Sequence, residues 1–238
     1  MGNENKGQFD PEVLYEDNHL LVVNKPAGML VQGDDTGDLP LIEHCKQYLK
    51  RKYNKPGNVF MGLVHRLDRP VGGVIVLART GKALARLNKQ FKDQHPQKTY
   101  LALVKNKPPK TKDRLVDFLK KNPKQNKSYS ADPNEKDAKK AILDYEIIGR
   151  SEQYYLLKIN LLTGRHHQIR CQLAHMGCSV GGDLKYGFPR SNPDGNISLH
   201  ARSITISHPV RKESMTFTAE LPREKVWQLF RNTVKDCD

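Results

Sequence analysis

Val64-His65-Arg66-Leu67-Asp68-Arg69-Pro70-Val71-Gly72-Gly73-Val74-Ile75-Val76-Leu77-Ala78 sets one carboxylate, Asp68, among His65, Arg66 and Arg69, just ahead of an apolar run. Val59 to Val64 on one side and Val74 to Ala78 on the other have the β-branched, apolar character of buried strands. Pro70 and the two glycines are turn-formers with little bulk. Two readings of Asp68 fit this setting. It is a surface turn with incidental ion pairs, the commoner case for such clusters. Or it is held ionised at the mouth of a cleft, as a nucleophile or general base requires.

Working outward, His19 to Asn24 is a short β-rich run ended by Lys25-Pro26. Leu41, Ile42, Cys45, Tyr48 and Leu49 recur at helical spacing, and Thr80 is placed to cap a helix with Leu84, Leu87 and Phe91 on its apolar side. Lys98 to Val104, Ala141 to Ile148, Tyr154 to Leu162, Ser198 to Ser207 and Ser214 to Leu221 read as strands, the second and third as an antiparallel pair. Residues 105–140 shift to Lys, Asn, Pro and Asp and read as a mobile basic insertion. Ile169, Leu173 and Met176 form the buried side of a helix stopped by Gly177, and Lys225 to Val234 reads as a terminal helix on Val226, Leu229 and Phe230. Strands and helices that do not alternate regularly predict an α+β fold with a mixed, mostly antiparallel sheet and flanking helices. Residues 1–10 read as a disordered tail and 11–238 as a single domain.

The chain has 238 residues, with 40 Lys and Arg against 26 Asp and Glu, a net charge of +14. That excess favours a polyanionic partner. No stretch is long and apolar enough to span a membrane, and the first ten residues lack the apolar core of a signal peptide, so the expectation is a cytoplasmic protein that meets RNA or DNA. Cys45, Cys171, Cys178 and Cys237 form no Cys-x-x-Cys pair. His167, Cys171 and His175 fall at i, i+4 and i+8 on one helix, but with no acidic companion they read as packed side chains and no metal is expected. No glycine-rich phosphate loop and no paired carboxylates appear.

Five ordered motifs carry a resemblance. His65-Arg66-Leu67-Asp68, Val23-Asn24-Lys25-Pro26-Ala27-Gly28, Lys98-Thr99-Tyr100, Gly164-Arg165-His166-His167-Gln168-Ile169-Arg170 with Gly182-Asp183 and Tyr186-Gly187, and Leu199-His200-Ala201 with His208-Pro209 resemble the RluA-like branch of the RNA pseudouridine synthases. The resemblance runs colinearly from about Leu14 to Pro222. It implies the pseudouridine synthase fold with a central RNA-binding cleft, and a cofactor-free and metal-free isomerisation of uridine in ribosomal or transfer RNA by base flipping. Asp68 matches the catalytic aspartate, Arg170 the arginine that pairs with it, and Tyr100 the aromatic that packs against the target base. His65, Arg66, Arg69, Lys98, Arg165 and His167 are the expected RNA contacts, Arg66 filling the space left by the flipped base. The expected protein is a monomer without a separate N-terminal RNA-binding domain. Relatives carry Thr-Ser-Gly or Val-Ser-Gly after the aspartate where this chain has Val71-Gly72-Gly73, which keeps open a second reading, an RNA-binding or ribosome-assembly protein that has lost catalysis. A hydrolase using Asp68 to activate water is the third.

Overall fold

The computed structural model describes residues 9–34, 36–93 and 96–236. Most of the expected tail, residues 1–8, lies outside these. Phe9 and Asp10 are anchored instead: Phe9 packs edge-on against His44, and Asp10 pairs with Arg51.

One sheet organises the chain. In chain order the strands are β1 (Glu12–Glu16), β2 (Leu20–Lys25), β3 (Gly62–Leu63), β4 (Gly72–Ala78), β5 (Gln97–Val104), β6 (Lys112–Asn122), β7 (Lys127–Ser130), β8 (Lys139–Arg150), β9 (Tyr155–Leu161), β10 (Leu199–Ser207) and β11 (Ser214–Thr218). They lie in the order β1-β2-β4-β10-β5-β9-β8-β6-β7, with β11 beside β10 and β3 beside β4. Among the described residues only β4 and β10 run parallel, and the other pairs are antiparallel.

The central strands bury both faces, so their apolar residues run on without alternation. Leu21, Val23, Ile75, Leu77, Ala102 and Leu199 face a core shared with α1 (Leu41–Lys52) and α3 (Gln168–His175). Leu20, Val22, Val74, Val76 and Ile204 face the other way, against α2 (Gly81–Asp93). Thr80 caps α2 as its position predicts, its Oγ1 accepting the Ala83 N–H at 3.2 Å. Gly177 ends α3 in the left-handed conformation, φ +80°. Among the described residues no helix is long and apolar enough to cross a membrane.

Three expectations change. Residues 105–140 are not a mobile loop: β6 and β7 extend the sheet, β6 pairing with β8 from Lys112↔Glu146 to Leu119↔Lys139. Charge hides this strand, since Arg114 lies directly opposite Asp144 and grips it bidentately at 2.6 and 2.9 Å. Val59 to Val64 contributes only the two residues of β3, and the rest approaches Asp68 as loop. The terminal helix is two short ones, α4 (Lys225–Gln228) and α5 (Arg231–Lys235). The break lets Trp227, Phe230 and Val234 bury against Leu101, Leu103 and Leu156, and turns Leu229 out to 68% exposure.

The parallel contact depends on one glycine. Gly73 pairs with Ala201 at φ +120°, and a Cβ there would fall inside the Ala201 carbonyl. Only glycine lets the strands approach at this point. Gly73→Ala is therefore expected to cost at least about 2 kcal/mol in urea unfolding. Gly81→Ala, with an open Cβ position, serves as the neutral control.

Candidate active site

Asp68 follows β3 in a turn closed by Val71 N–H to Asp68 O at 3.0 Å and feeds directly into β4. Two strands away, across the β4–β10 contact, Tyr100 of β5 lies opposite Ala201 in the register that sets Ala201 opposite Gly73. Arg170 reaches in from the first turn of α3. The three residues picked from sequence thus come from a loop, a strand and a helix that meet beside the parallel pair.

Arg170 is the hub. Its Nη1 donates to Asp68 Oδ2 at 2.9 Å, while Nε and Nη2 donate to the two oxygens of Asp183 at 2.6 and 2.9 Å. Asp183 is 1% exposed. Burial disfavours the guanidinium charge, but the hydrogen bonds and charges of Asp183 and Asp68 outweigh it and raise the Arg170 pKa. The guanidinium is fixed by a bidentate clamp on one edge and offers a single N–H pair to Asp68. Among the described residues no donor reaches Asp68 Oδ1, and the side chain is 29% exposed.

The turn before α3 is held by Gln168. Its Oε1 accepts Thr163 Oγ1 at 2.7 Å and the Arg165 N–H at 3.0 Å, and its Nε2 donates to Ile142 O and Gln172 Oε1. All the amide's capacity is used within the fold. Gln172 continues the chain of bonds to Asp117 on β6 at 2.7 Å. The strand that looked like a loop therefore braces the helix that carries Arg170.

Lys25, read from sequence only as part of a turn, lies behind Asp68. Only 1% exposed, its Nζ donates to the carbonyls of Met29, Pro26 and Arg69 at 2.7, 2.9 and 3.2 Å. Burial pushes its pKa down to about 7, opposed by the charge of Asp68. Tyr100 is buried as well, and burial followed by the Asp68 charge raises its pKa, so the phenol keeps its proton at neutral pH. Gly72 is explained by packing: a Cβ would meet Lys25 O at 3.1 Å and Ala27 N at 3.2 Å, and none of its nearest atoms belongs to Asp68.

The expected RNA contacts separate into two groups. Arg66 is exposed, with no ion-pair partner among the described residues. The others have structural work. His65 Nε2 accepts the Val76 N–H at 3.0 Å and its ring stacks on Phe91; burial, then Lys98, pushes it down to about 3. Arg69 joins the Asp68 loop to Gly28 O and Asp38. Half-buried Lys98 packs its Nζ where Gly164 leaves room. Arg165 donates to Lys140 O at 2.9 Å. His167, 8% exposed, turns inward. His167, Cys171 and His175 each have a different partner, Tyr186, Ser128 and Asp117, and do not converge.

The clamp predicts an order of stabilities. Asp183→Asn leaves a buried guanidinium half-paired and is expected to cost about 3 kcal/mol in urea unfolding. Asp68→Asn, at a partly open position, costs clearly less. An equal loss in both would contradict the assignment of Asp183 as the anchor.

A family model described as RNA pseudouridylate synthase matches residues 19–175. The ribosomal large subunit pseudouridine synthase C of Buchnera aphidicola subsp. Baizongia pistaciae is 33% identical over 222 residues, covering 90% of this chain and 68% of that protein. The dual-specificity RNA pseudouridine synthase RluA of Haemophilus influenzae is 31% identical over 215 residues, covering 88% and 92%. Among solved structures, human RNA pseudouridylate synthase domain containing 4 shares the fold, with a TM-score of 0.75 at 23% identity over 92% of each chain. A family match over most of the chain, and relatives aligned along nearly all of it, place this protein in the RNA pseudouridylate synthase family, as an RluA-like enzyme that isomerises uridine in RNA to pseudouridine.

Proposed function

We propose that the substrate is ribosomal or transfer RNA and that Asp68 carries the reaction, with Arg170 and Tyr100 as its partners. The observation that carries this reading is the Asp68 carboxylate, tied at Oδ2 by Arg170 and open at Oδ1. In the isomerisation the N1–C1′ bond of uridine breaks and a C5–C1′ bond forms, one proton leaving C5 and one arriving at N1. Asp68 Oδ1 is the group that meets the ribose–base junction, as nucleophile or base. Arg170 keeps the carboxylate aimed, which is where positioning contributes most to rate. Tyr100, protonated and fixed in the sheet, is the surface against which the base rests.

The target uridine must leave its stack to reach Asp68, and contacts made elsewhere offset that loss. The β6–β7 turn supplies them. Lys121 and Lys124 are exposed, Lys127 Nζ lies 5.0 Å from the Tyr186 ring, and Lys185 Nζ donates to Asn126 O. Among the described residues none of these, nor Arg66, pairs with a carboxylate, whereas Lys110 and Lys120 are committed to Asp113 and Glu135. Lys121 and Arg66 both act on the ring of His166, the residue next to His167, so this charge stands at the rim of the site. The relatives' names include ribosomal and transfer RNA enzymes, which supports this substrate class.

Pseudouridine mapping of total RNA from cells with wild-type protein and with Asp68→Asn tests the first part. The variant is expected to form no product while binding RNA within about twofold of wild type. Equal modification by both proteins would refute the role of Asp68. For the rim, replacing Lys121, Lys124 and Lys127 by Ala is expected to weaken RNA binding and flatten the slope of log K against log salt by about 2, each lost phosphate contact removing about 0.7 to 0.9. The same change at Lys105, Lys107 and Lys110 should leave the slope alone.

A further inference from the structure

His167 has two features that its motif position leaves unexplained. It is the N-cap of α3, yet its side chain makes no capping bond, and its backbone is left-handed at φ 52°, ψ 27°. A non-glycine residue in this region carries a cost of about 1 kcal/mol, and such positions cluster where function holds them. The conformation drives the imidazole inward between two groups. Nε2 stands 3.5 Å from Asp68 Oδ2, the oxygen already bonded to Arg170, and Nδ1 stands 3.1 Å from the Tyr186 hydroxyl. The ring is stacked on His166, with centroids 3.8 Å apart, and lies edge-on to Tyr186.

The hydrogen-bond count around Tyr186 limits what the ring can do. The Tyr186 oxygen accepts the Ser128 N–H at 2.9 Å, and its single hydrogen has two possible acceptors, Ser128 O at 3.1 Å and His167 Nδ1. With the hydrogen on the Nδ1 side, His167 carries its proton on Nε2 and turns an N–H dipole toward Asp68. With the hydrogen on Ser128 O, Nδ1–H donates to Tyr186 and a bare nitrogen lone pair faces the carboxylate. An ionised Asp68 favours the first arrangement. Burial, with Arg170, His166 and Lys185 nearby, pushes the imidazole down to about 3 against the pull of Asp68, so the ring is neutral and the choice is between tautomers.

We propose that His167 is a positioning residue for the isomerisation: it presents Nε2–H to Oδ2 of Asp68, in a tautomer that Asp68 selects and the Tyr186 hydroxyl accommodates, so that Arg170 and His167 together occupy that oxygen and Oδ1 is left for the uridine. At 3.5 Å the contact is longer than a hydrogen bond. Such contacts tighten when substrate closes the site. Once Oδ1 forms a bond or takes a proton, the charge that selects the tautomer falls, and the Tyr186 hydrogen is free to return to Ser128 O. The inference rests on Asp68 being the reacting carboxylate. It also reverses the expectation that His167 contacts RNA.

Two measurements decide it. The first needs no substrate: ¹H–¹⁵N correlation spectra of the imidazole near pH 7 should place the His167 proton on Nε2, and the preference should weaken in Asp68→Ala. A proton on Nδ1 in the wild type overturns the inference, even where Asp68 itself proves not to carry the reaction. The second is single-turnover pseudouridine formation by His167→Asn, since Asn tolerates the left-handed backbone. A rate roughly 10-fold lower, with RNA affinity within about twofold, is expected. Tyr186→Phe, which keeps its ring beneath Arg170, should move the rate in the same direction. An unchanged rate, or a loss confined to RNA affinity, overturns it.

Discussion

A single guanidinium shared by two carboxylates is the constraint on which the arrangement around Asp68 depends. Arg170 is 5% exposed and Asp183 1%, and neither could be left charged in that environment without the other. Because Asp183 takes two of the three donor positions with fork geometry, the guanidinium plane is fixed before Asp68 is considered. Asp68 then meets an N–H at a set point in space. An arginine paired with Asp68 alone would keep the attraction and lose the aim, because a flexible side chain can hold one partner from many angles.

Fixing Arg170 requires fixing α3, and the fold spends several polar groups on this. Gln168 closes the preceding turn, Gln172 ties the helix to Asp117, and Cys171 Sγ reaches Ser128 O at 3.3 Å. The last two partners belong to β6 and β7. On the other side, Gly73 lets β4 approach β10 and so brings the Asp68 turn within reach of Tyr100. Site geometry is thus set by one close backbone approach and one braced helix, separated by more than ninety residues of chain.

Local patterns were enough to read α1, α2, α3 and the central strands, because apolar spacing there matches burial on one or both faces. Asp68, Tyr100 and Arg170 came from motif resemblance, and the geometry brings them to one place. What stayed hidden has a common cause. β6 is a strand whose charges find partners across the sheet, so its composition resembles that of a loop. Asp183 sat in a recognised motif, but its role emerges only when Arg170, thirteen residues earlier, is seen to turn two donors to it. Lys25 is satisfied by three carbonyls, which no side-chain pattern reports. His65 and His167 were expected to contact RNA through the motifs that resemble the family, while spacing alone read His167 as a packed side chain. Inside the protein they remain neutral, His65 accepting the Val76 N–H and His167 meeting the Tyr186 hydroxyl. In the C-terminal segment Phe230 is buried and Val226 packs beside it as the stripe predicted, whereas Leu229 is exposed and Trp227 takes its place, on the other side of the helix break.

The distribution of charge explains why bulk composition identified the partner and said little about the site. Beside Asp68 lie the buried carboxylate of Asp183, the Arg170 guanidinium and Lys25, whose pKa burial lowers to about 7, with His65 and His167 neutral and Tyr100 protonated. The carboxylates and cations there largely offset one another. At the rim stand Arg66, Lys121, Lys124, Lys127 and Lys185, none paired with a carboxylate among the described residues. Uridine is uncharged and the chain that carries it is a polyanion, so an enzyme acting on one through the other benefits from keeping the two tasks apart. A cationic interior would draw phosphate toward Asp68 in place of the base, and a neutral rim would leave the cost of unstacking without an offset. Unpaired cations at the rim and offset charges at the centre meet both demands.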